Sequence, residues 1–153
     1  MKSIIFDTPI CPIRISEDKG RITEISENLS NNACCNESAL LLTAKEQILD
    51  YLEGRRRVFN FPIRFSGTSF QMAVWEQCRK IGYGHVGTYS EIAEAIGHPK
   101  AVRAVGTALK NNPLLFVIPC HRIKAKNGDG GFRLGSATKR QLLELESKNL
   151  GSP

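Results

Sequence analysis

A cysteine, a histidine and an arginine stand side by side at residues 120–122, between the apolar run "LLFVI" and a glycine-rich loop. A cysteine is nucleophilic only as the thiolate, and a free thiol with a pKa of about 8.5 is only a few per cent ionised near neutrality. His121 could take the proton of Cys120. Adjacent side chains of an extended strand point to opposite faces, so the two need a turn at Pro119 and Cys120, or a bridging water. An isolated pair of this kind is more often a buried thiol beside an unrelated histidine, so other motifs must decide.

Two short helices are predicted ahead of this segment. Thr88 and Glu91 have the spacing of a capping box that starts "YSEIAEAI", and Gly97, His98 and Pro99 separate it from "KAVRAVGTALK". The outline resembles a helix-turn-helix, although many packed helix pairs look the same. Small residues give the second helix a slim surface, and its basic side chains favour a nucleic-acid groove. The small residues are Ala101, Ala104, Gly106 and Ala108, and the basic ones are Lys100, Arg103 and Lys110.

The first 65 residues predict an α+β lobe. Strands are expected at "SIIFD", "CPIRIS" and "GRITEIS", with "EDKG" as a hairpin turn. Thr43 and Glu46 have capping-box spacing at the start of "TAKEQILDYLEG", a helix that should cover the sheet. The stretch "FNFPIRF" places Phe59, Phe61, Ile63 and Phe65 at period two, which indicates an extended connection with one buried side.

Residues 66–153 predict a second, mostly helical domain. Thr68 and Gln71 should cap "SFQMAVWEQCRKI", in which Trp75 is expected to be a core anchor. The run "LLFVI" indicates a buried extended segment, and "SATKRQLLELESK" a terminal helix with Ser136 as its N-cap.

The charge of the chain is concentrated in this second part. The formal net charge is +6, and residues 1–65 hold nine basic and nine acidic side chains, whereas residues 66–153 hold twelve basic and six acidic ones. One-sided positive charge is what a polyanion-binding surface requires, although a solvated basic face fits the charge equally well. The "RRR" run at 55–57 is interpreted as a solvated loop.

Targeting and cysteine usage predict an intracellular protein without a metal site. No apolar stretch approaches the roughly 20 residues of a membrane span, and the N-terminus does not resemble a secretory signal. Five cysteines form an odd, irregular set that should stay reduced. Cys34 and Cys35 lack a second Cys/His pair, so we expect a polar loop there. "GYGHVG" lacks a following Gly-Lys-Ser/Thr, so it is not interpreted as a phosphate loop.

The order of these motifs carries a family resemblance. A helix-turn-helix, "NNP", an apolar strand, "IPCHRI", a glycine loop and a final helix follow one another, as in the O6-alkylguanine-DNA alkyltransferases, also called methylated-DNA–protein-cysteine methyltransferases. The resemblance is strong over residues 66–147, where "FQMAVWEQCRKIGYGHVGTYSEIAEAIGHPKAVRAVG", "NNPLLFVIPCHRI" and "KRQLLELE" match. It is looser over the first lobe, where "FDTPICPIRI" and "EQILDYLEGRRRVFNFPI" fall in the right order.

The resemblance implies direct-reversal DNA repair. The alkyl group of O6-alkylguanine, and of O4-alkylthymine, in duplex DNA would move irreversibly and stoichiometrically to Cys120 without a cofactor. His121 would remove the thiol proton through water, and Glu146 would orient the imidazole. Tyr89 would hydrogen-bond the guanine ring, and Lys139 would support this arrangement.

The resemblance also implies how DNA is held. Guanine O6 lies inside the duplex, so the nucleotide must flip out of the stack. Arg103 would fill the vacated space while the second helix lies in the minor groove. Residues assigned to DNA contact are Ala101, Val102, Ala104, Gly106, Lys100 and Lys110. Asn112 would tie the helix pair to the reactive segment, and the Ile123 carbonyl and Arg133 amide would bind the flipped guanine. Phe132 stands where many members have tyrosine, and Leu134 replaces a glycine found in some of them, which would alter the shape of the pocket.

The fold class expected is α+β: a small antiparallel sheet with a covering helix, as in a ribonuclease H-like lobe, then a winged-helix-like domain with the helix-turn-helix. We expect a cytoplasmic, nucleoid-associated monomer, or a nuclear one in a eukaryote, that binds double-stranded DNA and no membrane. Three alternatives remain open from the residues: a non-catalytic damage sensor, a cysteine hydrolase and a winged-helix regulator.

Overall fold

The computed structural model describes residues 1–28, 36–126, 128 and 130–150. Cys34 and Cys35, for which a polar loop was expected, lie outside these ranges. The chain divides into two compact units. The first comprises Met1–Phe65 and Pro113–Leu115, and the second comprises Ser66–Asn112 and Phe116–Pro153.

Over its described residues, the first unit consists of a three-stranded antiparallel sheet and one helix. Strands β1 (Lys2–Phe6), β2 (Ile13–Asp18) and β3 (Arg21–Glu27) pair in the order β1-β2-β3. The hairpin between β2 and β3 turns at Lys19 and Gly20, both with positive φ, as a tight turn of right-twisted strands requires. The three predicted strands and their turn are confirmed.

Helix α1 (Ala39–Leu52) covers the sheet but begins earlier than predicted. Its N-cap is Ser38, whose hydroxyl accepts a hydrogen bond from the Leu41 amide. Thr43 and Glu46 lie inside the helix, so the capping box predicted there is wrong. The apolar residues between Ser38 and Thr43 extend the helical face back to the first available cap.

Two extended segments add to β3. Ile22 exchanges backbone hydrogen bonds with Pro62 and Arg64, and the predicted alternation around Phe61, which is buried, is confirmed. Ile25 donates to the Pro113 carbonyl and accepts from Leu115. The run "LLFVI" is largely buried as predicted, but it is not continuously extended, because the chain turns at Phe116 with φ 70°.

In the part of the second unit that the structure describes there are four α-helices and a short parallel pair of strands. The elements are α2 (Ser69–Arg79), β4 (Gly87–Thr88), α3 (Tyr89–Ala95), α4 (Val102–Lys110), a 3₁₀ turn (Cys120–Arg122), β5 (Ile123–Lys124) and α5 (Ser136–Leu150). Strands β4 and β5 pair through Gly87 with Ile123 and Thr88 with Lys124. The α+β class is therefore confirmed.

The helix starts of this unit follow local capping chemistry. Reciprocal capping boxes join Thr68 with Gln71 and Thr88 with Glu91, as predicted. Trp75 is a core anchor, because it is 2% exposed and its Nε1 donates to the Ala108 carbonyl. The second helix of the pair begins at Val102, after Lys100 and Ala101, and α5 includes Ser136 as its first residue, so Ser136 is not outside the helix as an N-cap would be.

Within the described ranges, no helix combines the length and apolar character needed to cross a membrane.

Candidate active site

Cys120 begins a 3₁₀ turn, so the chain bends at Pro119 and Cys120, which is one of the two arrangements that the sequence left open. The Arg122 amide donates to the Pro119 carbonyl, closing the turn. Asn112, which is 1% exposed, donates from Nδ2 to the Ile118 carbonyl at 2.8 Å and to the Cys120 Sγ at 3.2 Å. One buried amide, two residues after the end of α4, therefore bonds both the backbone carbonyl of Ile118 and the sulfur of Cys120.

The Cys120 sulfur is held as a thiol in this resting arrangement. The side chain is 5% exposed, and burial raises the pKa of the thiol above its ordinary value. The Asn112 hydrogen bond and the nearby charges of Arg133 and Lys139 act in the opposite direction but do not overcome burial. Removal of the proton must therefore be coupled to the reaction, as a neighbouring base allows.

A buried charge cluster, defined as His121, Arg122, Lys139 and Glu146, adjoins the cysteine. The Glu146 carboxylate, 0% exposed, lies 2.7 Å from His121 Nε2. It accepts from Arg122 Nε at 2.8 Å and Nη2 at 2.9 Å, and also from the Gly84 amide at 3.1 Å. Both oxygens are therefore satisfied, as a buried carboxylate requires.

His121 is poised as a base. Burial is the main cause that lowers its pKa, and the positive charges of Arg122 and Lys139 add to this, while Glu146 raises it. A neutral imidazole that bonds a carboxylate through Nε2 must donate its proton there. The remaining nitrogen, Nδ1, then carries the lone pair that can accept a proton.

Tyr89 and Lys139 fix the glycine loop beside the cysteine. The Tyr89 hydroxyl donates to the Gly131 carbonyl and accepts from the Gly131 amide, each at 3.2 Å. Lys139 Nζ donates to the Ile123 carbonyl and to the Gly131 carbonyl. Gly130 has φ +73°, and a Cβ there would lie 2.7 Å from the Tyr89 hydroxyl. Glycine is thus required for the loop to approach Tyr89.

A cavity of about 310 Å³ opens onto the cysteine. Its size lies at the lower end of the range for small-molecule sites, roughly 300–1,000 Å³. Three of the lining residues are cationic and none is acidic. The lining residues are Tyr89, Val102, Arg103, Gly106, Thr107, Leu109, Lys110, Cys120, Gly131, Phe132 and Arg133. Residues of α4 and of the glycine loop therefore line one cavity together with Cys120.

Several predicted site residues lie off the cavity. Lys100 and Ala101 line a separate shallow surface depression with residues 97–99. Ala104 is exposed on α4, and Leu134 is half-buried. The side chain of Arg133, for which a role was predicted only through its amide, donates to the Asn112 carbonyl.

Sequence reasoning gave no role to Arg122, although this residue is the main hydrogen-bonding partner of Glu146. Its place in "PCHRI" was visible, but its partner is 24 residues away along the chain. Thr107, Leu109 and Gly131 of the cavity wall were also not predicted. Thr107 and Leu109 belong to α4, in which roles were predicted for the basic and small residues and for Val102.

Comparison with known proteins gives one consistent result. The model of the family described as "6-O-methylguanine DNA methyltransferase, DNA binding domain" matches residues 69–148. The inducible methylated-DNA–protein-cysteine methyltransferase of Bacillus subtilis is 48% identical over 103 residues, which cover 67% of this chain and 58% of the relative. The methylated-DNA–protein-cysteine methyltransferase of Metallosphaera sedula is 41% identical over 144 residues, covering 88% of this chain and 91% of the relative.

Solved structures agree over nearly the whole chain. The Mycobacterium tuberculosis protein OGT, crystallised in complex with DNA, superposes with a TM-score of 0.88 at 32% identity and covers 97% of this chain and 94% of its own. A second structure, of the M. tuberculosis O6-methylguanine methyltransferase, gives a TM-score of 0.88 at 30% identity and covers 99% of this chain and 96% of its own. The resemblance predicted from the motif order is confirmed. The chain belongs to the family of the 6-O-methylguanine DNA methyltransferases, the methylated-DNA–protein-cysteine methyltransferases that repair alkylated DNA.

Proposed function

We propose that this chain moves the alkyl group of O6-alkylguanine in duplex DNA onto its own Cys120, irreversibly and once per molecule. The observation that carries the proposal is the position of Cys120 in the wall of the cavity that Tyr89 and Arg103 also line. Neutral His121, the next residue, supplies a base whose orientation Glu146 fixes.

The transfer is a displacement at the alkyl carbon. The Cys120 thiol proton passes through a water molecule to His121 Nδ1, and Sγ forms a bond to the alkyl carbon as the carbon–O6 bond breaks. Guanine leaves with that electron pair and takes up a proton. The product is a thioether. Its carbon–sulfur bond is not readily broken, because a thiolate is a poor leaving group from an alkyl carbon, so each molecule reacts once.

Access to O6 requires the nucleotide to leave the duplex. Arg103 is exposed on α4 at the cavity and can fill the space that the flipped base vacates. Ala104 and Gly106 present little side-chain bulk, so α4 can approach the minor groove closely, with Val102 as an apolar contact. Lys100 and Lys110 are exposed beside it and can contact phosphates, with Ala101 at the start of the helix.

The cavity wall supplies groups for the flipped guanine. The Tyr89 hydroxyl, bonded to Gly131 in the resting state, lies where it can donate to the guanine ring as the base departs. The Arg133 amide and the second lone pair of the Ile123 carbonyl bind the guanine edge. Lys139 and Asn112 support these groups through their own hydrogen bonds. Phe132 and Leu134 shape the space left for the alkyl group.

The proposal also covers a second substrate, the oligomeric state and the cellular location of the protein. O4-alkylthymine is a second substrate, because its alkyl group also hangs from an exocyclic ring oxygen. The protein acts as a monomer, because all the groups named belong to the second unit of one chain. It works where the genome lies, in the cytoplasm at the nucleoid or, in a eukaryote, in the nucleus.

Mass spectrometry after incubation with O6-methylguanine duplex DNA tests the proposal. The peptide that contains Cys120 should gain one methyl group, with a limit of about one per protein. Cys120→Ala should abolish transfer and retain DNA binding, whereas Cys11→Ala, which changes a half-buried cysteine of the first unit, should react as the wild type does. Sustained turnover, or methylation at another cysteine, would contradict the proposal and favour a hydrolase.

A further inference from the structure

The guanidinium of Arg122 bonds both oxygens of the buried Glu146 carboxylate and shares Oε2 with His121. Arg122 Nε and Nη2 reach the two carboxylate oxygens at 2.8 and 2.9 Å, in a bidentate arrangement. The third nitrogen, Nη1, donates to the Ile81 carbonyl at 2.7 Å. Arg122 is only 7% exposed, so this geometry is held by the fold and is little screened by solvent.

The proposed reaction places two opposing requirements on the Glu146 carboxylate. Glu146 must accept the Nε2 proton of His121 to orient the ring. An uncompensated buried carboxylate 2.7 Å from the imidazole would, however, strongly favour the imidazolium. A protonated His121 could not accept the thiol proton. Some group must therefore neutralise Glu146 without displacing His121 from it.

We infer that Arg122 is a positioning residue of the transfer reaction, which neutralises Glu146 so that His121 remains a proton acceptor near neutral pH. This inference rests on the proposed function. Arg122 does not line the cavity and does not touch the reacting atoms, so it acts only through Glu146 and His121.

The other charged and titratable groups around His121 do not replace this role. On the same turn, Cys120 is a thiol. On α5, Lys139 contributes positive charge, but its Nζ is bonded to the Ile123 and Gly131 carbonyls. From α2, Cys78 is buried, and burial raises the pKa of its thiol well above the ordinary value, so it is neutral. Arg122 places a full positive charge in contact with both oxygens of Glu146.

The segment from Ile81 to Gly84 holds the guanidinium in place. Besides the Ile81 carbonyl, the ring of Tyr83 lies against Arg122, with 5.6 Å between the guanidinium carbon and the ring centroid. The Gly84 amide also donates to Glu146. Gly84 has φ +78°, a backbone conformation that favours glycine, and a side chain there would strain the turn that presents this amide to Glu146.

The test combines a direct view of the imidazole with the pH dependence of transfer. Nitrogen and carbon NMR of histidine-labelled protein reports the protonation and tautomer of His121, and the chain has only three histidines to resolve. Wild-type protein should show neutral His121 with the proton on Nε2 at neutral pH. In Arg122→Met the His121 titration should move up by about one pH unit or more, the size of effect that a neighbouring charge produces.

The rate of methyl transfer should follow the same shift. In Arg122→Met the acid limb of the pH–rate profile should move up by the same amount, with the rate recovering at higher pH. Arg122→Lys keeps a positive charge beside Glu146 and should restore most of the wild-type profile. Arg79→Met removes an arginine from an exposed ion pair of α2 with Glu76, so it should leave both readouts unchanged.

Two outcomes would overturn the inference. One is an imidazolium His121 in the wild-type protein at neutral pH. This observation requires neither a variant nor a measurement of transfer activity. The other is a rate that falls equally at every pH in Arg122→Met, as a purely structural role would give. Because the NMR signal is independent of alkyl transfer, failure of the proposed function would leave the wild-type titration as expected, whereas failure of this inference would not.

Discussion

Two sets of charged residues lie close to Cys120, and they are built in opposite ways. The buried charge cluster is at most 7% exposed, and its members bond one another or backbone carbonyls. The basic rim, defined as Arg103 and Lys110, lines the cavity from α4 and is exposed to solvent. Buried charges are stable only as a complete set, whereas exposed ones act singly through screened fields. Under the proposed function we therefore expect changes in the cluster to affect both the chemistry and the stability of the fold, and changes in the rim to affect DNA contact alone.

The largest effect should come from breaking the buried charge cluster. Glu146→Leu leaves Arg122 without its carboxylate in a buried site, which is expected to lower the free energy of unfolding by about 3–5 kcal/mol. Urea unfolding followed by circular dichroism measures the loss. Glu144→Leu, on an exposed position of the same helix, should change the free energy by less than about 0.5 kcal/mol. Equal effects of the two changes would mean that the cluster contributes nothing beyond surface charge.

The basic rim should respond in function and not in stability. Arg103→Ala is expected to slow transfer from duplex DNA by roughly 10- to 100-fold, because flipping without a residue to fill the stack costs a few kcal/mol. Stability in urea should stay within about 0.5 kcal/mol of the wild type. Transfer from O6-methylguanine in single-stranded DNA should change much less, since no base pair must be opened.

Removal of another positive charge controls for electrostatics alone. Arg79→Ala also removes one arginine from an exposed position of the second unit. If it slows duplex transfer as much as Arg103→Ala does, the effect of Arg103 is general charge and not filling of the vacated space.

The contrast between the two sets also explains what the sequence could predict. Elements set by neighbours along the chain were predictable, such as the capping boxes at Thr68 and Thr88, in which both partners lie within three residues. The helix start predicted from the same pattern at Thr43 is wrong. Ser38, five residues earlier, is also able to cap the helix, and a start there adds apolar residues to the helix. Local patterns identify possible caps, and tertiary packing chooses among them.

The site divides in the same way. The adjacency of Cys120 and His121 is visible in the sequence, and the family resemblance adds Glu146. The bidentate contact of Arg122 with Glu146 joins residues 24 positions apart, and the Gly84 amide reaches the same carboxylate across 62. No spacing rule connects a loop glycine with a helix carboxylate at that separation. Only the folded chain shows that the carboxylate is shared.

A smaller effect is expected from acid acting on the buried charge cluster. Burial holds the pKa of His121 below its ordinary value of about 6.5. Below that value the unfolded chain binds a proton that the folded protein excludes, so the free energy of unfolding falls as the pH drops toward the lower folded pKa. Above about pH 7 this contribution is constant, because both states are neutral there.

Urea unfolding of wild type and variants across this window measures the slope. His121→Gln should lose the part of the pH dependence that arises between the two pKa values, and His98→Gln, which changes an exposed histidine, should keep it. A slope that His98→Gln abolishes and His121→Gln preserves would place the titration outside the cluster.

The smallest effect concerns the size of the alkyl group that the cavity accepts. Phe132 lines the cavity, and its ring meets the His121 ring edge-on at 6.4 Å between centroids, so it limits the room beside the sulfur. For each alkyl group, the rate of transfer to the protein is divided by the rate at which the same group reacts with a free thiol in solution. The normalised rate for O6-benzyl should then be about tenfold lower than the normalised rate for O6-methyl. Phe132→Ala should reduce the difference between the normalised methyl and benzyl rates. Leu134→Gly should reduce it less, because Leu134 does not line the cavity. Equal normalised rates for the two groups in the wild-type protein would show that Phe132 does not restrict the pocket, and the alkyl range would then have to be set by how far α4 and the glycine loop separate when DNA binds.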